Sequence, residues 1–296
     1  MVAQEKTLGV QSRLIISLVL LVLVIALGVF LTVTRPGKDM IDSNTVLTGL
    51  QAEDINRITI IRQGKKKIHF SRQGNVWFMQ EPYQLAANPI RIHAILSLAN
   101  AYSYTQLDAG TLDLQRLQLD PPNLTIHLND TGFRFGDASP LGKQRYVLLD
   151  QTVHLVNDSI YLQLQAPASF FLETRIVPPD ANIQSIEYNK YTITQTGDGW
   201  QIAPRIEADN ADPDAIIDAW QSAEALSVRE YELHEVTQKV TLQFQERPGI
   251  TFDVAISESG MVLGRADLQL QYHLSRYDFE RMFINMQEET VTPAPE

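Results

Sequence analysis

The stretch Trp77-Phe-Met-Gln-Glu-Pro-Tyr-Gln-Leu-Ala-Ala-Asn-Pro-Ile-Arg-Ile-His-Ala-Ile-Leu96 sets a large aromatic ahead of Ala87-Asn88-Pro89 and a run of spaced apolar residues. Asn88 is a good acceptor for the orphan N–H groups that open a helix. Pro89 suits the first helical position, where its missing N–H costs nothing. Ile92, Ile95, Leu96 and Ala99 then recur three and four apart, which gives the helix one buried stripe. The same landmarks return further along: Trp200, then Ala211-Asp212-Pro213, then Ile216, Ile217, Trp220 and Ala223. Ahead of each tryptophan, Ile55-Asn-Arg-Ile58 and Ile183-Gln-Ser-Ile186 open a β-rich segment.

Alternation of apolar and polar residues marks strands with one buried face, and it follows both helices. In the first copy it runs through Leu124–Leu128, Phe133–Phe135, Tyr146–Leu149 and Val153–Val156. In the second it runs through Val240–Phe244, Ile250–Val254, Met261–Leu263 and Leu268–Leu274. Each copy closes on a short helix, near Ser159–Leu164 and Arg276–Met286; Phe279, Met282, Phe283 and Met286 share one face of the latter. The order of landmarks predicts an α+β fold: two similar α+β units with mainly antiparallel sheets and amphipathic helices, at 46–176 and 177–287. Val177-Pro-Pro-Asp180 is their linker, and 288–296 is a loose tail.

Upstream, the 20 residues Leu14 to Val33 contain no charge. At about 1.5 Å per residue they reach about 30 Å, the thickness of a bilayer core. A cleaved signal peptide has a shorter apolar region and a small-residue cleavage site, which this run lacks. The expectation is an N-terminal transmembrane helix over 14–34, a tail at 1–13 and a connector at 35–45. That connector spans no more than about 40 Å. Lys6 and Arg13 outweigh Glu5 ahead of the run. Arg35 and Lys38 lie beyond it, beside Asp39 and Asp42. A cytoplasmic N-terminus with the large acidic region outside satisfies this distribution best.

The 296 residues include 24 basic and 35 acidic side chains, a net charge of −11. That balance excludes a nucleic-acid binder, which needs clustered Lys and Arg to neutralise phosphates. The chain has no cysteine, which removes disulfide scaffolds, thiol nucleophiles and cysteine-rich metal sites together.

Several quoted residues also carry a family resemblance. Ile55-x-x-Ile58-x-Ile60, Trp77 to Pro82, the Ala87-Asn-Pro helix start, Leu117-Gln-Leu-Asp-Pro-Pro122, and Arg145-Tyr-Val147 leading to Val153-x-Leu155 stand in the order found in a bacterial family. The chain resembles domain of unknown function 4340. The resemblance implies a membrane-anchored envelope protein, similar in some members to auxiliary components of ABC-type transporters, and it brings no catalytic residue set.

The candidate chemistry is sparse. None of the six histidines forms a His-x-x-x-His or His-Glu-x-x-His pair that would set two metal ligands on one helical face. His69, His127, His154 and His273 fall in strands as structural residues. No Gly-x-Ser-x-Gly offers a hydrolase nucleophile. Arg62-Gln-Gly-Lys-Lys-Lys67, the only dense basic run, reads as a solvated hairpin turn, with a phosphate or lipid-headgroup contact as its other reading. Trp77 and Trp200 read as core anchors.

No catalytic, cofactor-binding or metal residue is therefore assigned. The function expected is that of a non-catalytic single-pass protein of the bacterial inner membrane with a periplasmic domain. It would be a binding or accessory component of a transport or envelope-assembly complex. Its partners would be the lipid bilayer, through the N-terminal helix, and other inner-membrane proteins such as ABC-type transporter components. The alternative is small-ligand or glycan binding in the cleft between the two units, and a hydrolase stands third.

Overall fold

The computed structural model describes residues 15, 18–25, 46–140, 142–257 and 260–284. The chain divides between Thr45 and Val46 into two compact units, and both sheets belong to the second, Val46–Glu296. Of the expected membrane-spanning segment 14–34, only residues 15 and 18–25 are described, and they are helical. The expected segments 1–13, 35–45 and 288–296 lie outside the described residues. Among the described residues no helix is long and apolar enough to cross a membrane.

Two antiparallel sheets with few helices make this an α+β fold. The first sheet contains β1 (Arg57–Arg62), β2 (Ile68–Gln73), β3 (Val76–Glu81), β4 (Leu85–Ala86), β5 (Thr105–Asp108), β6 (Leu124–Leu128), β7 (Thr131–Ala138), β8 (Gln144–Leu149) and β9 (Thr152–Asn157). Its order is β4-β3-β2-β1-β6-β7-β8-β9-β5. The second contains β10 (Ile183–Glu187), β11 (Thr192–Thr196), β12 (Gly199–Ala203), β13 (Ser227–Glu230), β14 (Gln238–Phe244), β15 (Ile250–Ser257), β16 (Gly260–Arg265) and β17 (Leu270–Ser275). Its order is β12-β11-β10-β14-β15-β16-β17-β13. With β4 set aside, the two sheets have the same wiring. A three-stranded meander leads into a helix, the chain crosses to the far edge strand, and a four-stranded meander runs out to meet that strand.

The helices in question are α1 (Pro89–Leu96) and α3 (Pro213–Ser222), and both start as their sequences require. The Asn88 side chain accepts hydrogen bonds from the N–H groups of Ile90 at 3.0 Å and Arg91 at 3.2 Å. Asp212 accepts from those of Asp214 at 3.1 Å and Ala215 at 3.3 Å. The expected stripes, Ile92, Ile95 and Leu96 in one and Ile216, Ile217 and Trp220 in the other, are buried. The copies differ at the outer edge of their meanders. β4 covers β3, and Trp77 beneath it is buried, whereas among the described residues no strand pairs beyond β12 and Trp200 stays half-exposed.

A short helix closes each half, α2 (Ser159–Leu164) and α4 (Arg276–Met282). α4 ends before the expected Met286, with Phe283 already in extended backbone. The cause is tertiary. Asn210 donates to the carbonyls of Glu280 and Phe283, and the Tyr191 hydroxyl accepts from the Ile284 N–H at 3.0 Å. These contacts replace the next helical turn with bonds to the neighbouring chain.

The two halves share one hydrophobic core running from Leu47 to Ile284. The chain entering the expected linker is held on both sides. Leu172 bridges to Ala87 and Arg175 to Glu224, the Asn88 N–H donates to the Phe171 carbonyl, and the Ala225 N–H donates to the Thr174 carbonyl. Ile176 and Val177 are buried. A segment whose backbone and side chains are both satisfied by each half works as a stiff strap rather than a free hinge.

Candidate functional site

The basic run Arg62–Lys67 forms the β1–β2 turn as expected, with Gly64 at φ 70° supplying the left-handed residue that such a turn needs. Arg62 departs from the expectation of a solvated turn, for it is only 5% exposed. The reason lies in strand alternation: Ile58, Ile60 and Arg62 occupy the inward face of β1. Its Nη1 donates to the carbonyls of Gln165 and Ala166, just past α2. Lys65 Nζ donates to the same Gln165 carbonyl at 3.2 Å. Cations at the end of a helix meet its unpaired carbonyls and the negative end of its dipole.

Arg62, Lys65 and Lys66 line one wall of a groove of about 810 Å³ between the halves, together with Pro82 and Tyr83 from the β3–β4 connection. The opposite wall comes from the far edge of the second sheet: Glu230 at the end of β13, Tyr231, and Leu268 and Gln269 from the β16–β17 turn. Burial, and then the nearby Glu230 carboxylate, push the Tyr83 hydroxyl pKa up, so it stays a proton donor. Tyr231 is fixed by its hydroxyl, which donates to Asp253 at 2.7 Å. That bond raises its pKa to about 12. Asp253 is held below its usual range, first by Lys239 at 2.8 Å.

The histidines do not gather. His69 sits on β2 beside Thr59, His154 on β9 beside Ser103, and His273 on β17 beside Gln271. Among the described residues no three His, Asp or Glu side chains could hold a metal ion together. The Ser103–His154 contact of 2.9 Å is the nearest thing to a nucleophile and base. Both residues are buried and the serine donates to the Thr105 carbonyl, so the pair belongs to the β5–β9 edge.

These histidines carry a pH consequence. Desolvation is the leading cause that lowers the pKa of His69, His154 and His273. The folded state therefore binds fewer protons than the unfolded one below the ordinary value of 6.5. Stability is full above that value and is lost as pH falls through the lowered folded pKa. The melting temperature should begin to drop as pH falls below about 6.5, the ordinary imidazole value. His154→Gln, which keeps a polar partner for Ser103, should flatten part of that slope in a thermal series over pH.

The residues that carried the family resemblance meet in space for packing reasons. Gly136 of β7 lies under Leu117 and Leu119, its carbonyl accepts from Arg145 Nη1 at 2.5 Å, and the next N–H, of Asp137, donates to the Leu117 carbonyl at 2.9 Å. Arg145 also grips Asp158 through Nε at 2.5 Å and Nη2 at 3.2 Å, with its guanidinium 3.4 Å above the Tyr161 ring. Residues 77–247 match the family described as Domain of unknown function (DUF4340). The chain belongs to the DUF4340 family. No curated protein and no solved structure matches it. The DUF4340 match begins at Trp77 in β3 and ends at Arg247, beyond β14, so it takes in parts of both sheets and the strap between them.

Proposed function

We propose that this DUF4340 protein is a non-catalytic, single-pass envelope protein of the bacterial inner membrane. Its N-terminus would be cytoplasmic, its two-sheet domain periplasmic, and its role that of a binding or accessory component in a transport or envelope-assembly complex. The observation carrying this reading is the uncharged run Leu14–Val33 just ahead of the compact unit that starts at Val46. The apolar side chains of the helical residues Leu18–Ile25 are 56–63% exposed, and lipid is the solvent that favours such a surface. The two similar α+β units of the sequence reading then form a rigid display, since the strap is bonded to both halves.

The test begins with fractionation. The full chain should remain with membranes through alkaline extraction, and a chain starting at Val46 should be soluble and folded. Protease added to spheroplasts should digest the domain and spare the N-terminal tail. Crosslinking of the full chain in membranes should recover a reproducible inner-membrane partner, transporter components among the candidates. A full chain extracted as a soluble protein, or crosslinking that recovers no partner, removes this reading.

A second reading, small-ligand binding between the halves, is favoured by one specific observation. The groove of about 810 Å³ falls within the range of small-molecule sites, roughly 300–1,000 Å³.

A further inference from the structure

We propose that the groove between the halves binds a phosphate ester, with the phosphate at the Arg62–Lys65–Lys66 wall and a neighbouring hydroxyl or ammonium group of the ligand on Glu230. This rests on the reading of the groove as a ligand site and adds the ligand's chemistry.

Charge is the first support. In a chain of net charge −11, three cations share one wall, and the lining residues from the first half include no carboxylate. Arg62 is the second. It is 5% exposed, its Nη1 is spent on the two carbonyls after α2, and its buried Nε has no partner. Among the described residues no carboxylate pairs with it. A buried guanidinium with only carbonyl partners keeps an uncompensated positive charge, which is costly unless an anion approaches. Its carbonyl bonds also hold it in place, so little entropy is lost when a ligand binds.

The lysines divide in a way that suits one phosphate. Lys67 is drawn to Glu81 at 3.3 Å, whereas Lys66 forms no ion pair among the described residues and faces the groove. Tyr83 adds a hydroxyl to the same wall. Glu230 opposite would repel a second negative charge, which disfavours polyanions and favours a ligand carrying a donor beside a single phosphate. A soluble sugar or glycerol phosphate has this chemistry, and so does the headgroup of a glycerophospholipid.

The experiment uses the full chain in neutral detergent micelles. It is titrated calorimetrically with glycerol 1-phosphate, with short-chain phosphatidylglycerol, and with glycerol and maltose as uncharged probes. One of the two phosphate compounds should bind. The soluble ester binding identifies a free metabolite class, and the lipid binding alone identifies a headgroup. Lys66→Glu, at a side chain without a folding role, should weaken that binding about tenfold or more with an unchanged melting temperature, and Lys65→Ala should weaken it less. Failure of both phosphate compounds to bind, or equal binding by Lys66→Glu, overturns the proposal. Maltose binding that Lys66→Glu leaves intact and Tyr83→Ala abolishes also overturns it, while leaving the groove as a site for an uncharged ligand.

Discussion

Trp220→Ala should destabilise the two-sheet domain by about 3–5 kcal/mol, the range for removing a fully buried large aromatic. Trp220 is 0% exposed, packs 5.9 Å from the Phe252 ring and 6.1 Å from Phe283, and donates through Nε1 to the Tyr188 hydroxyl at 2.8 Å. That hydroxyl donates in turn to the Met282 carbonyl at 2.6 Å, at the end of α4. Tyr188 and Tyr191 stack at 4.2 Å, and burial pushes the Tyr188 pKa well up. The chain of bonds therefore stays neutral and ties α3, the β10–β11 turn and the end of α4 into one network. Tyr188→Phe keeps the ring and strands the indole N–H and the Met282 carbonyl, at an expected cost of about 1–3 kcal/mol. Urea unfolding of the three proteins measures both. A Tyr188→Phe midpoint equal to the parent's would show that the network adds nothing beyond packing.

Gly136→Ala is the second large effect, expected at about 1–3 kcal/mol from overpacking. A Cβ built there falls 2.3 Å from the Leu117 carbonyl oxygen and 2.9 Å from the Leu119 side chain. The first is backbone, itself bonded to the Asp137 N–H, and Leu119 is 0% exposed in a small satellite core with Leu148 and Val153. Neither neighbour can yield without losing the Asp137–Leu117 bond or the packing of Leu119 against Leu148 and Val153. Gly132→Ala, facing only the His127 ring at 3.1 Å, serves as the comparison and should cost less. Equal midpoints for the two would mean that the Leu117–Leu119 segment moves freely. That result would contradict the packing argued for Gly136 against Leu117 and Leu119.

Gly136 sits inside β7, and its neighbours in sequence do not show why it must be glycine. The close approach of Leu117 depends on how a loop nineteen positions upstream folds back. The same division holds at Arg62. Its place on the inward face followed from Ile58 and Ile60 by alternation, a signal legible in the sequence. Its charged character and the lysines beside it argued more loudly for solvent. Only the arrival of Gln165 and Ala166, with 104 positions separating Arg62 from Ala166, provides the carbonyls that let a guanidinium sit there.

The sequence by itself determined the strands other than the edge strands β4, β5 and β13, the two capped helices, the repeated order of landmarks and the uncharged run near the N-terminus, since periodicity, capping and hydropathy act over a few residues. The wiring that the two sheets share apart from β4, the strap that binds one half to the other, the early end of α4 and the basic groove were decided by the tertiary structure. Each of these rests on partners brought together from distant parts of the chain, and no local pattern records which of them will meet.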